Sequence, residues 1–315
     1  MEHPVKPQEA LSSPIGVAPK RQLWKEIYKN RALYLFISPF YILFIIFGLF
    51  PIIFSLYLSF QKWDGIGEME FVGLKQFKYL ISDSMFWQAV GNTFIIWFIS
   101  TIPMLCGALV IAFLLNAPFV RAKGFYRSAY FITNVTSIVA VTIIFQSIFG
   151  NQYGLLNYIL TTVGAEPVKW LDSSFLIKVV IASMVVWRWT GYNAIIYLAG
   201  LQAIPTDLYE AAKIDGANTR QQFLHITIPL LRPVILFTIL MTTIGSMQLF
   251  TEPQVLLGNS GGVGGAGMTI TLYMYKQGFV DNQFGYASVV SWALFVIIAL
   301  FSLINWKIFD KAGAR

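Results

Sequence analysis

The chain has 315 residues, 57% of them hydrophobic and 12% charged, with a formal net charge of +7 and a mean hydropathy of +0.65. Soluble domains carry about twice that charged fraction, so the composition argues against a water-soluble enzyme and for an integral membrane protein. The basic excess is dispersed over several loops, which argues against nucleic acid as a partner, and the single Cys106 allows no intramolecular disulfide.

Residues 1–22 are polar, carry Pro4, Pro7, Pro14 and Pro19, and read as a disordered tail. Trp24 to Arg31 form a basic, aromatic lead-in to a membrane interface. This region is too long and too acidic for a signal-peptide leader, so no cleaved signal is expected. A spanning helix needs about 20 mainly apolar residues. Six stretches qualify: 33–60, 93–115, 130–149, 176–201, 233–250 and 286–306. Segment 61–90, between the first two, predicts a short amphipathic helix from Phe71, Leu74, Phe77, Tyr79 and Leu80. Loops 150–175 and 251–283 fall on the same side, and the second holds a Gly cluster over 258–267. That cluster follows no strand and opens no helix, so it reads as a flexible loop rather than a phosphate cradle. With the N-terminus inside, the inner segments hold 15 of the 22 Lys and Arg and the outer ones 6. The positive-inside rule therefore places both termini in the cytoplasm. The expected organisation is a tail over 1–31, a membrane domain over 32–310 that includes an inner loop at 202–232, and a cytoplasmic tail over 311–315.

The inner loop is the most polar stretch of the second half, and it reads as two short helices. Thr206 offers an N-cap, and Asp207 and Glu210 suit a helix N-terminal end. Ala211 and Ala212 are strong helix formers, and Gly216 can stop the helix in the left-handed conformation. Thr219 with Gln222 matches a capping box, and Pro229 and Pro233 end the second helix and open the fifth span. A plain connector between packed helices needs about 2–8 residues, so a loop this long favours a docking surface over a plain connector.

This loop resembles the signature of membrane subunits of binding-protein-dependent ABC importers. In that pattern Glu-Ala-Ala is followed after three residues by Gly and after nine more by Ile-x-Leu-Pro. Glu210, Ala211, Ala212, Gly216, Ile226 and Pro229 stand at those offsets, with Ile228 in place of Leu. The stretches "WRWTGYNAIIYLAGLQAIPTDLYEAAKIDGA", "FVGLKQF", "GFYRSAYFITNVTSIVAVTIIFQSIFG" and "QGFVDNQFGYASVVSWAL" resemble the maltose and multiple-sugar branch over residues 30–310. The resemblance implies an all-α type I importer permease, with five core helices plus one N-terminal helix. It implies a homologous permease subunit as partner, a cytoplasmic ATPase dimer that binds ATP and Mg, and an extracytoplasmic solute-binding protein. It also implies a bacterial or archaeal plasma membrane. Residues 205–216 would be the helix that docks on the ATPase. Glu210, Ala211, Ala212, Asp215, Gly216, Ala217, Ile226 and Pro229 would couple the two.

The sequence offers no catalytic constellation: His3 and His225 are far apart, and no Gly precedes a Lys as a Walker A loop requires. No metal or cofactor on this chain is expected. A sugar path needs aromatic faces and small polar groups. Trp187, Thr190, Gly191 and Ala194 share one face of the fourth span, and Asn134, Ser137, Ile138 and Val141 one face of the third. Gly245, Ser246, Gln248 and Leu249 cluster at the end of the fifth. These positions resemble the stretches that line the sugar site of maltose-type permeases, while helix packing by small residues is the competing reading. Arg188, a charge deep in a span, must face protein or water. It would either attract an anionic saccharide, with Glu252 as a possible partner, or bond structurally to carbonyls. A non-sugar importer and an ion-coupled secondary transporter are the alternatives. The absence of a central carboxylate in the six stretches counts against the latter.

Overall fold

The computed structural model describes residues 28–117 and 120–311. The expected tails therefore lie almost wholly outside the described residues. The chain divides into two compact units, Met1–Ser55 and Leu56–Arg315.

Helix α1 begins at Arg31 in the first unit and runs on to Leu58, with one π-helical turn over Ile45–Leu49. Its side chains up to Ser55 are mostly apolar and almost all exposed, as a lipid-facing helix requires. The second unit opens with a two-residue ladder, β1 (Gln61–Lys62) against β2 (Glu70–Phe71), antiparallel with Gln61 opposite Phe71. Helix α2 (Lys75–Ser82) is the expected amphipathic segment: Leu80 is buried and Phe77 packs on the core, while Phe71, Leu74 and Tyr79 are exposed.

Helix α3 (Ser84–Asn116) and helix α7 (Ser174–Gln202) are the second and fourth spans, and they pack along much of their lengths. The third stretch is not one helix. It forms α4 (Lys123–Val135) and α5 (Ile138–Ile148), bent by 93°. Thr136 and Ser137 take extended backbone between them, and the Thr136 hydroxyl bonds back to the Ile132 carbonyl at 2.7 Å. Such side-chain bonds compete with the helical ladder, a local effect that hydropathy cannot register. Helix α6 (Leu155–Thr162) occupies the 150–175 loop.

Helix α8 (Thr206–Ile214) precedes a long helix, α9, built from Thr219–Gln222, a π turn over Phe223–Thr227 and Ile228–Met247. Two expectations change here. Pro229 does not end a helix but sits inside α9 directly after the π turn, at the second residue of Ile228–Met247. Pro233 lies inside the same helix, and the polar segment runs straight into the fifth span. Helices α10 (Thr251–Leu257), α11 (Ile270–Tyr275, extended by a π turn over Lys276–Val280) and α12 (Phe284–Lys311) complete the unit. Among the described residues, five helices can cross a membrane by length and apolarity, or six if the bent α4–α5 pair counts as one crossing.

The Gly cluster is not a flexible loop as expected. It is folded against α3: Asn92 donates to the carbonyls of Gly265 and Met268, and Gln88 donates to Gly264. Gly261 has φ +69, and a Cβ there would meet the Met268 backbone at 2.7 Å, so only glycine fits this turn.

Candidate functional site

Two regions carry the functional candidates: the α8–α9 corner and a cavity between the spans. At the corner, Thr206 is the first helical residue instead of the N-cap, which is Pro205 without a side-chain bond. The helix end is as expected. Gly216 takes φ +82, its amide bonds to the Lys213 carbonyl, and the Ala217 amide reaches back to Ala212 at 2.8 Å. This is the two-bond closure that a left-handed residue makes possible. The capping box also exists, one residue earlier than expected. Asn218 accepts from the Gln221 amide at 2.9 Å, and the Gln221 side chain accepts from the Asn218 amide at 2.8 Å. Asn caps at least as well as Thr and stands one step closer to the turn.

Three braces missed by the sequence reading lock the corner. The hydroxyls of Tyr209 and Thr227 bond at 2.9 Å across the two helices, Thr227 also donates to the Gln222 carbonyl, and Gln222 donates to the Ala217 carbonyl at 3.1 Å. Ala212, Asp215, Gly216, Ala217 and Ile226 line a hollow of about 360 Å³, together with Gln221, Gln222 and His225. Glu210 and Ala211 are exposed on α8, and Pro229 is exposed at the start of the fifth span. Ile214 is 87% exposed, an apolar side chain left in water at the tip of a polar helix.

The cavity lies between α7, the end of α9, and the start of α10, and encloses about 440 Å³. Of the expected path residues, Gly245, Ser246, Gln248 and Leu249 line it. Beside them stand Trp189, Tyr192 and Asn193, which the sequence reading did not select, and Glu252, which it named only as a partner for Arg188. The signal was present, since Trp189, Tyr192, Asn193 and Ile196 share an i, i+3, i+4, i+7 face of α7. The chosen face looks elsewhere. A Cβ on Gly191 would collide with the Tyr130 carbonyl, so α4 and α7 touch backbone to backbone there. Ala194 is fully buried in the apolar cluster with Ala108, Tyr197 and Leu231. The Thr190 hydroxyl bonds to the Val186 carbonyl, and Trp187 packs edge-on against Phe145 with centroids 6.1 Å apart. Asn134 holds a buried amide nitrogen without a partner, and Ser137 sits at the N-terminus of α5.

Arg188 donates from Nη1 to the carbonyl of Thr136, the first residue of the break in the third span, at 3.0 Å. Its own carbonyl accepts from the Thr133 hydroxyl. The structural reading of this arginine thus has a geometry, and no ion pair to Glu252 exists among the described residues. Glu252 itself is buried in the first turn of α10 and faces the cavity.

At the other end of the molecule, Asp83 caps α3 by accepting from the amides of Met85 and Phe86 and takes the hydroxyls of Tyr273 and Tyr286, both at 2.5 Å. Burial raises this carboxyl, but the tyrosine hydroxyls and the two amides outweigh it and hold it below the usual carboxylate range.

Membrane-spanning helices around a partly polar cavity, with a capped polar helix pair on a cross-braced corner, define the transmembrane subunit of a transporter. Residues 93–306 match the binding-protein-dependent transport system inner membrane component, and the chain belongs to that family. It is 37% identical over 298 residues to an arabinooligosaccharide transport permease, AraP, of Bacillus subtilis, covering 94% of each chain. It is 40% identical to the lactose transport permease LacF of Rhizobium radiobacter, covering 87% of this chain and 92% of that one. Among solved structures, a bacterial ABC transporter that imports the acidic polysaccharide alginate matches with a TM-score of 0.77 at 23% identity, covering 92% of this chain and 99% of that one. The fold is that of a type I ABC importer permease.

Proposed function

We propose that this chain forms half of the path of an ATP-driven importer for a sugar or oligosaccharide, in the plasma membrane of a bacterium or archaeon. A homologous permease subunit completes the path, and a solute-binding protein delivers cargo to the outer face. A cytoplasmic ATPase dimer, with its own ATP and Mg, docks on α8. Both termini then face the cytoplasm, and residues 32–310 form the permease domain around the 202–232 loop.

The α8–α9 corner carries this reading. Its braces make it stiff enough to pass force into α9, which continues without a joint into the membrane. Its exposed Leu208 and Ile214 give an ATPase groove apolar surface to cover. Glu210 and Asp215 supply carboxylates for charge-assisted bonds. Ser246, Gln248, Asn193 and the rings of Trp189 and Tyr192 supply the mixed polar and aromatic lining that sugars need. The Trp187, Thr190, Gly191 and Ala194 face, with Asn134 and Ser137, holds that lining in place.

The test is vanadate-sensitive, ATP-dependent uptake by proteoliposomes holding the complete complex. A Cβ at Gly216 would meet nothing within 4 Å, but Val cannot easily take φ +82, so the helix end should unwind. Uptake should then fall while ATP hydrolysis continues. Normal uptake with substrate-stimulated hydrolysis in Gly216→Val would overturn the coupling assignment.

A further inference from the structure

The charge in the cavity differs from the one the sequence pointed to. Arg188 is held by the Thr136 carbonyl and does not line the cavity. The lining holds no Lys, Arg or His; its one ionisable acid is Glu252. That side chain is 6% exposed and bonds to its own backbone amide, and among the described residues no ion pair satisfies it. The charge of Arg188 reaches it only across space. A carboxyl buried this far is normally paired. Its remaining lone pairs point to a ligand that brings hydroxyl donors.

We infer that Glu252 is a specificity-determining residue that restricts this half of the path to uncharged saccharides. Sugar hydroxyls can donate to the carboxylate while the rings of Trp189 and Tyr192 and the side chains of Ser246 and Gln248 cover the rest of the ring. A uronate would bring a second carboxylate into a low-dielectric space with no cation on the wall, where like charges repel strongly. The inference rests on the sugar reading above. It also addresses why one fold serves both the lactose permease relative and the solved importer of an acidic polysaccharide: the lining of the cavity, not the fold, would sort the cargo.

The experiment uses the detergent-purified complex of both permease subunits and the ATPase, without the binding protein, so that delivery does not filter the ligands. Saturation-transfer NMR measures binding of lactose, arabinotriose and maltotriose against digalacturonate. The wild-type complex should bind at least one neutral probe and reject digalacturonate. Glu252→Gln should shift the ratio toward digalacturonate by about ten-fold or more, the scale on which a like-charge contact is read. Glu252→Asp, which keeps the charge, should keep the rejection. An unchanged ratio in Glu252→Gln, with Ser246→Ala and Gln248→Ala weakening neutral binding, overturns this inference alone. Equal wild-type binding of digalacturonate and a neutral probe also overturns it. Binding of no saccharide at all sinks the sugar reading together with it.

Discussion

The Asp83 end and the α8–α9 corner are both bound by side-chain hydrogen bonds, but the bonds differ in reach. Around Asp83 they join residues far apart in sequence: Asp83 to Tyr273 and Tyr286, Asn92 to Gly265, Thr93 to the Ile270 amide. Most of these groups are buried. At the corner the bonds are local, Asn218 to Gln221, Gln222 to Ala217, and Tyr209 to Thr227, and the surrounding apolar side chains stay in water. The first end is finished within the chain. The second is stiffened but left uncovered, as the docking proposed for it requires.

Breaking the finished end should cost most. Asp83→Ala removes the acceptor of two buried hydroxyls and the cap of α3, and should lower stability by about 3 kcal/mol, read by unfolding in mixed micelles. The same carboxyl sets an acid limit. Because its folded pKa lies below the ordinary 3.8, its contribution is complete above that value and is lost as pH falls through the depressed one. A wild-type stability profile with the same acid slope as Asp83→Asn would contradict this. Gly285→Ala comes next. Its Cβ would collide with the Gln61 carbonyl, a backbone atom that cannot swing aside, for about 2 kcal/mol. At the corner, Tyr209→Phe removes one hydroxyl pair and should cost about 1 kcal/mol in the same assay. Its larger effect should fall on uptake per ATP hydrolysed. If Tyr209→Phe destabilises more than Asp83→Ala does, the contrast between the two ends fails.

Much of the corner was legible because its signals are local. The Gly216 stop, the Ala pair and a capping box are short-range patterns, and the box erred by one residue because Thr219 and Asn218 are both competent caps. Five of the six apolar stretches appear as helices long enough to cross, since lipid imposes length and apolarity on any crossing, and the third appears as a pair bent by 93°. What could not be read depends on tertiary packing. Asp83 looks like one more acid in an outer loop until Tyr273 and Tyr286 arrive from nearly two hundred residues away. Small residues on α7 could not be assigned from sequence because they serve both packing and passage. Gly191 and Ala194 pack, while Trp189 and Tyr192, one position off, face the cavity.

The bond from Arg188 to Thr136 also has a consequence in time. The carbonyl that the broken third span leaves open is met by a side chain 52 residues downstream. When that span emerges from the ribosome, its partner has not been synthesised. The third and fourth spans should therefore enter the bilayer as a pair, with the arginine drawn in by the carbonyl it serves. Nascent chains truncated before residue 188 should leave the third stretch accessible to water-soluble thiol reagents at an engineered cysteine. Chains extended past the fourth span should protect it, and protection in the shorter chains would show that the elbow forms alone.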